Sequence, residues 1–319
     1  MTASTVRAVG DGHVARDRRI GYATAMEALD VVERAGAALP ASWQGTGLLI
    51  DAGGGTAARR QAVGRDLVDG FKLWRLAISL GWLDIKLRYR GSALGPFWLT
   101  LSGAVMVGSM GLIYGRLFAM NLHEYLPFLA LSMILWQSFI GGLTTDACTV
   151  FLDAETMIRA MRMPFTVQVL RCVARNVIVL LHNLVVPIGV FAIFDTWPGW
   201  VALQSLPGLV LWVADGIAAG FLLGSLCARF RDIPPIVGSI MQIAFYITPI
   251  VWKPSQLGAH GWWLPINPFD TLLEIVRSPL LGAPAGLLAW GSALGYSLLL
   301  WLVALLIFTR ARPRLAFWV

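Results

Sequence analysis

Charged residues are scarce in this 319-residue chain, and their scarcity sets the first limit on its class. Only 13% of the residues are charged, whereas 57% are apolar, and the mean hydropathy is +0.69. Soluble domains carry about 25% charged residues, so this composition excludes a soluble enzyme or a soluble binding module. The net charge of +7 indicates cytoplasmic flanks of membrane spans rather than a nucleic-acid partner, and we expect no nucleic acid.

The chain also lacks the residue patterns of most catalytic and metal sites. Its three cysteines, Cys148, Cys172 and Cys227, stand in apolar runs without CxxC spacing, which indicates neither a disulfide framework nor a metal site. No GxxxxGK[ST], HExxH or GxSxG pattern occurs, and no pair of carboxylates stands out. We therefore expect a non-enzymatic chain with no cofactor of its own. If ATP drives its activity, ATP and Mg²⁺ bind to another chain.

Long apolar runs, in contrast, are abundant and predict six membrane-spanning helices. About 20 residues at 1.5 Å each cross a hydrocarbon core of about 30 Å. Runs of this length and frequency are not core helices of a soluble domain, so the predicted fold class is an all-α membrane protein. The six predicted spans are residues 97–115, 125–145, 176–194, 201–228, 233–252 and 286–309.

The distribution of basic residues predicts the orientation. Of 25 Lys and Arg residues, 13 precede residue 97, and others follow the second, fourth and sixth spans. Arg171 and Arg175 are assigned to the loop between the second and third spans. Only Arg116, Lys253 and Arg277 fall on the opposite side. The positive-inside rule then places both termini in the cytoplasm.

Residues 70–96 lead into the first span and predict an amphipathic helix at the membrane interface. A narrow strip of this segment carries basic residues, as is typical of helices that lie in the interface. The alternative is a cytosolic helix packed on its own domain. The composition of the preceding residues, 1–69, predicts a weakly ordered cytoplasmic extension, with a small regulatory helix as the alternative. The large apolar side chains of the helix recur at steps of three and four residues: Phe71, Trp74, Ile78, Trp82, Ile85 and Tyr89.

Two loops on the predicted cytoplasmic side are short and charged. In the first, Asp153 is placed to cap a helix that starts at Ala154 and ends before Pro164. The second, residues 229–235, is a tighter turn. Because each loop joins consecutive spans, both are positioned to transmit force from a soluble partner; the alternative is simple solvated loops. The candidate coupling residues are Glu155, Arg159, Arg162, Arg229, Arg231 and Asp232.

The external segment 253–282 is too apolar for an ordinary loop. Prolines punctuate it, and residues 267–277 have the pattern of a short helix capped by Asn267. Non-helical backbone survives at membrane depth only where protein shields it or where it lines a cavity. We therefore predict short re-entrant helices that cap a pore mouth between spans five and six. The alternative is an aromatic belt.

Two ionisable residues, Asp215 and His182, fall inside predicted spans. Because burial of such groups in a membrane costs several kcal/mol, they are candidates for a proton relay. The alternative for Asp215 is an interhelical hydrogen bond or an interface with a second copy.

Aromatic residues in spans two and five and in the external segment are candidates for sugar contact. Their faces stack against sugar C–H groups, as a pore for a polymer requires. The alternative for each is packing or lipid contact. The candidates are Trp136, Phe139, Phe245, Tyr246, Trp252, Trp262, Trp263 and Phe269.

An ordered set of short motifs resembles the ABC-2 type permeases that export polysaccharides, nearest to the O-antigen, capsule and teichoic-acid branch. The resemblance covers about residues 70–310, and the extension 1–69 is longer than the family pattern. The motifs are Arg88–Trp98, Glu124–Leu129 with Trp136, Arg171–Asn183, Arg229–Pro235, Tyr246–Trp252 and Asn267–Phe269.

The resemblance implies that two copies of the chain form one channel in a bacterial inner membrane, bound to two copies of a separate ATPase. Residues 154–163 would be the main coupling helix, and spans one and five would form the channel wall. An undecaprenyl-linked glycan would reach the channel near the interface helix. There Arg88, Tyr89 and Arg90 would hold the lipid pyrophosphate, with anchoring to anionic lipid as the alternative. A drug or lipid-like solute remains an alternative cargo, and a proton-coupled carrier is a third hypothesis.

Overall fold

A computed structural model describes residues 56–90, 95, 97–117, 119–161 and 163–319, and no strand occurs in these ranges. The all-α fold class is therefore confirmed. A 3₁₀ segment, Pro254–Ile266, precedes α9. The helices are α1 (Thr56–Lys72), α2 (Trp74–Arg88), α3 (Phe97–Leu117), α4 (Leu122–Thr149), α5 (Glu155–Ala160), α6 (Phe165–Phe194), α7 (Gly199–Arg229), α8 (Ile233–Ile247), α9 (Pro268–Leu280) and α10 (Leu287–Trp318).

Five of these helices are long and apolar enough to cross a membrane, namely α3, α4, α6, α7 and α10. The remaining predicted span, residues 233–252, consists of the 15-residue helix α8 followed by bends at 248–252. At 1.5 Å per residue α8 alone measures about 22 Å, which is shorter than a hydrocarbon core. A sixth crossing through α8 and these bends therefore stays a prediction.

Two predicted spans extend far beyond their predicted boundaries, because ion pairs admit charged residues into the helices. The third span begins at Phe165 rather than at residue 176 and includes Arg171 and Arg175. Their assignment to a loop is therefore wrong. The last span continues from the predicted end at residue 309 to Trp318, and Arg312 on this extension pairs with Asp66 at 3.1 Å.

The centre of the bundle is α4, in which every residue from Pro127 to Trp136 is buried. It packs against α3, α6 and α7, and α7 packs in turn against α10. A π-helical turn, Trp136–Ile140, interrupts the α-helical hydrogen bonding of α4. Such turns often lie at functional sites, and this one carries two of the predicted channel aromatics.

The first described helix, α1, lies in the segment predicted as a weakly ordered extension. Its Asp66 is buried and accepts hydrogen bonds from the backbone N–H of Phe165 at 3.3 Å and of Thr166 at 3.0 Å. These N–H groups begin α6, which no side chain of its own caps, so Asp66 caps it from another helix. Residues 56–69 therefore differ from our expectation, and residues 1–55 lie outside the described part of the chain.

Candidate functional site

The short helix α5 carries the first set of predicted coupling residues. Glu155 and Arg159 are exposed and form an ion pair at 2.9 Å. Arg162 lies outside the described residues. Asp153 does not cap α5, because its carboxylate accepts a hydrogen bond from the Thr149 hydroxyl at 2.8 Å within the preceding turn. The helix is therefore where the sequence predicts it, but its predicted cap is wrong.

The second predicted coupling loop lies between α7 and α8, and Arg229, Arg231 and Asp232 are all exposed there. The Arg229 guanidinium lies over the Trp318 ring, 5.2 Å from its centroid.

The same end of α10 also contacts α5. Nη2 of Arg159 donates to the carbonyl oxygen of Val319 at 2.6 Å, one residue after Trp318. The loop between α7 and α8 therefore contacts Trp318, and α5 contacts Val319. These two contacts place both predicted coupling elements on one side of the bundle.

One side of α5 is buried against α2. Met157 lies in an apolar cluster with Leu76, Ala77 and Leu80 of α2 and with Val167 of α6. We call these five residues the Met157 cluster. Packed apolar side chains transmit displacement because protein interiors have few voids. A force on α5 therefore acts on α2 as well.

The other face of this region is uncovered. Phe71, at the end of α1, and Trp74, Ile78 and Trp82 of α2 are all exposed, at steps of three and four residues. Ile85, which the sequence groups with these residues, is buried instead, and the leucines of α2 lie on the same buried side. An exposed row of this composition is typical of a helix in the membrane interface.

A network of charges connects α2 to the spans. Asp84 accepts two hydrogen bonds from Arg171, one of them from Nε at 2.7 Å, and a third from Nη1 of Arg175 at 3.4 Å. Nη2 of Arg175 donates to Asp146 of α4 at 2.9 Å, and the Asn176 amide donates to the same carboxylate at 2.9 Å. Bidentate pairs of this kind are strong and fix orientation. The network therefore fastens α2 to α6 and α4.

Arg88, Tyr89 and Arg90, the predicted lipid-pyrophosphate site, lie at the end of α2. Both arginines are exposed, and Tyr89 is half-buried. Burial raises the pKa of the Tyr89 phenol, against a smaller lowering by Arg88, so the phenol keeps its proton at neutral pH. Two guanidinium groups and a phenol O–H are donors that suit an anion.

The structure brings three of the predicted channel aromatics together. The Trp136 ring meets Phe245 and Phe269 edge to face, with centroids 6.1 and 5.5 Å apart. Phe139 stacks instead on Trp212, with centroids 5.5 Å apart. Because Trp136 and Phe139 are buried in this single copy, packing accounts for both.

The other predicted channel aromatics lie near the surface. Tyr246 and Trp262 are exposed, and Trp263 is half-buried. Nε1 of Trp252 donates to the carbonyl oxygen of Tyr246 at 3.1 Å, which folds the bends after α8 back onto that helix. Tyr246 and Trp262 are therefore the predicted aromatics that a second copy, lipid or cargo can reach.

The predicted external cap is built around a residue that sequence reasoning missed. Arg277 of α9 is only 1% exposed. Its Nη1 donates to the carbonyl oxygen of Pro249 at 2.5 Å and to Ser132 Oγ at 3.3 Å, and the guanidinium lies 4.7 Å from the Phe128 ring centroid. Its Nη2 donates to Glu274 at 2.6 Å. Arg277 therefore joins α9, α4 and the bends after α8. Its position in a largely apolar segment, one helical turn after Glu274, is the signal that could have indicated this role.

Two carboxylates lie close to Arg277. Burial raises the pKa of Asp270 to about 6, and its carboxylate lies 3.7 Å from the guanidinium. Burial is the largest single influence on the pKa of Glu274 and raises it, but the charge and hydrogen bond of Arg277 together with the hydrogen bond from Ser278 outweigh burial, so the pKa falls below its usual value. Glu274 is therefore the main counter-ion. The predicted cap of α9 is confirmed, because the Asn267 side chain accepts from the backbone N–H of Phe269 at 3.0 Å.

Asp215 makes the interhelical hydrogen bond that the sequence analysis gives as its alternative role. Ser297 Oγ of α10 donates to its Oδ2 at 2.7 Å. In the described part of the chain no hydrogen bond joins Asp215 to His182. The geometry therefore does not assemble the predicted proton relay.

The described part of the chain is an all-helical bundle with five helices that are long and apolar enough to cross a membrane. Comparison with known families agrees: the model of the ABC-2 type transporter family matches residues 75–281, and the chain belongs to this family. It is thus a multi-pass membrane transport subunit, and the family implies a partner ATPase. Membership of the ABC-2 type transporter family argues against the hypothesis of a proton-coupled carrier.

Relatives with curated names point in the same direction. The O-antigen export system permease protein RfbA of Myxococcus xanthus is 24% identical over 208 residues, which cover 62% of this chain and 77% of that protein. The O-antigen export system permease protein RfbA of Klebsiella pneumoniae is 21% identical over 203 residues, with coverages of 63% and 78%.

Proposed function

We propose that this chain is the channel-forming permease of an ATP-driven exporter of a lipid-linked, O-antigen-like polysaccharide in a bacterial inner membrane. The Met157 cluster carries this proposal, because it joins the exposed helix α5 to α2, whose opposite face exposes aromatic residues. A soluble ATPase bound to α5 thereby moves the helix that meets lipid-borne cargo. The names of the two relatives support a glycan as that cargo.

The complete exporter contains two copies of this chain and two copies of the ATPase, which binds ATP and Mg²⁺. Glu155 and Arg159 on α5 form the main contact, and the loop 229–232 forms a second one. Both lie on the cytoplasmic side together with the two termini. The proximity of these elements at the end of α10 supports a single docking surface.

The undecaprenyl-linked glycan arrives at the end of α2, where Arg88, Tyr89 and Arg90 hold its pyrophosphate. Lipid phosphates are attracted to basic groups near the membrane surface and bind guanidinium forks strongly. The exposure of both arginines supports this role.

Helices α3 and α8 form the channel wall between the two copies, and the segment 253–282 covers its outer end. Both helices expose large apolar side chains along their length, such as Val105 and Ile113 of α3 and Ile243 of α8. Tyr246 and Trp262 add aromatic faces beside this surface for passing sugars.

Deletion of the gene tests the function directly. We expect undecaprenyl-linked glycan to accumulate inside the cell and surface glycan to disappear, and wild-type chain to restore export. Normal surface glycan after deletion would reject a glycan cargo, and a changed sensitivity to drugs in that strain would favour a drug-like solute.

A further inference from the structure

A partly open cavity of about 110 Å³ lies between α4, α7, α9 and α10. Its wall is mainly apolar and includes the rings of Phe139, Trp212 and Phe269. Among the described residues that line it, Asp215 is the only ionisable one. The cavity thus combines one carboxylate with aromatic surfaces.

Asp215 has an unused acceptor in this wall. Its side chain is 7% exposed, and Oδ2 accepts from Ser297. Oδ1 is buried and has no hydrogen-bond partner. The other polar side chains of the wall are engaged, since Trp212 Nε1 donates to the carbonyl oxygen of Leu272 at 2.9 Å and Thr144 Oγ1 donates to its own helix at 2.6 Å. Among the described lining side chains, Oδ1 is therefore the unpartnered atom.

The depth of Asp215 in the bundle raises the free energy of leaving its Oδ1 without a partner. At 1.5 Å per residue it lies about 15 Å along α7 from Ser205, well inside the spanning helix. A carboxylate at such depth costs several kcal/mol unless a cation pairs with it. The described lining includes no Lys, Arg or His, so the charge is compensated either by a proton on the carboxyl group or by a cation from outside the chain.

We infer that this cavity binds a lipophilic primary amine, whose ammonium group pairs with Asp215 and whose apolar part lies against the aromatic wall. Phe139 and Trp212 stack with an interplanar angle of 18°, and aromatic faces attract cations. A neutral alcohol of the same shape also fills the cavity, but it leaves the carboxylate charge uncompensated. The site therefore discriminates between an ammonium and an alcohol.

Calorimetric titration of the full chain in zwitterionic lipid nanodiscs tests this inference, with benzylammonium and benzyl alcohol as probes and empty nanodiscs as the blank. We expect benzylammonium to bind at least tenfold more tightly than benzyl alcohol. Asp215→Asn keeps the shape and an acceptor for Ser297, so it should bring the two affinities together. Glu124→Gln, which alters an exposed carboxylate outside the cavity, should leave the ratio unchanged.

A second variant fills the cavity without altering the carboxylate. Ala219 lines the cavity one helical turn after Asp215, and Ala219→Leu should weaken binding of both probes at least tenfold. The inference would be overturned if the wild type bound neither probe or bound both equally. It would also be overturned if Asp215→Asn kept the preference for benzylammonium over benzyl alcohol, or if Ala219→Leu still bound the probes as the wild type does. If Asp215→Asn does not fold, the wild-type ratio and Ala219→Leu decide. Export measured in the same variants keeps this outcome separate from the proposed function.

Discussion

At the scale of the residue, Arg277 is the buried charge on which the external segment depends. Arg277→Met removes the guanidinium, which leaves the carbonyl oxygen of Pro249 without this donor and leaves Glu274 with its hydrogen bond from Ser278 but without its counter-ion. Breaking a buried pair by removing one partner costs about 3–5 kcal/mol. We therefore expect a large fall in thermal stability, measured by unfolding of the purified chain in nanodiscs.

Lys253→Met is the matched control for this prediction. Lys253 also lies in the predicted external segment and is partly buried, but it pairs at 3.5 Å with Glu124, which is largely exposed. A pair with one solvated partner contributes far less than a buried pair, about 0–1 kcal/mol, so this variant should unfold close to the wild type. If the two substitutions lowered the thermal stability equally, the buried contacts of Arg277 would not be what stabilises the external segment.

Single residues also show where sequence reasoning fails. Arg171 and Arg175 look like loop charges because hydropathy counts each charge against a span, whereas Asp84 and Asp146 neutralise them inside α6. The partners are distant in sequence, so no local pattern reveals them. Asn267, in contrast, is predicted correctly because an N-cap depends on the residues next to it.

At the scale of the element, the close contact of α2 with α6 depends on Gly81. A Cβ atom at this position would lie 2.9 Å from the carbonyl oxygen of Arg171, which is backbone and cannot move aside. Overpacking costs about 1–3 kcal/mol. We expect Gly81→Ala to lower thermal stability and to reduce export, because it separates Asp84 from the arginines of α6.

Gly64→Ala provides the control for Gly81→Ala. Gly64 lies inside α1, and a Cβ atom there meets no other atom within 4 Å. Ala in place of Gly stabilises an open helix interior by about 0.5–1 kcal/mol, so this change should slightly raise stability. A neutral Gly81→Ala would mean that α2 and α6 are not tightly packed.

The exposed face of α5 gives a separate prediction about coupling. Glu155→Arg reverses one charge of an ion pair whose side chains are 49% and 62% exposed, so stability should change by no more than about 1 kcal/mol. Export should nevertheless fall strongly, because the reversed charge disturbs ATPase docking. Surface glycan and co-purification of the ATPase measure the effect. Unchanged export in a folded variant would remove the coupling role from this helix.

Elements differ in how well their sequence predicts them. Most long apolar runs appear as helices because length and composition are sufficient for a span. The two faces of α2 are not separable from the sequence, because leucine and tryptophan are both apolar and only contact with α5 and α6 divides them. The packing of helix α1 is not visible in the sequence, because Asp66 contacts the start of α6, which lies far along the chain.

At the scale of the whole molecule, the orientation and the number of crossings depend on α8. This helix is short, and the bends at 248–252 have to supply the remaining length. If α8 crosses, Arg231 and Ser255 at its two ends lie on opposite sides of the membrane. If it does not cross, the described residues contain five spans, and residues 56 and 319 lie on opposite sides of the membrane.

Cysteine labelling distinguishes these two cases. The native cysteines, Cys148, Cys172 and Cys227, are all buried, so a membrane-impermeant maleimide should give little background. Both Arg231 and Ser255 are exposed. In intact spheroplasts we expect Ser255→Cys to react, and Arg231→Cys to react only after permeabilisation, because basic residues concentrate on the cytoplasmic side. Reaction of both from the outside, or of neither, would place the two ends of α8 on one side and remove the sixth crossing.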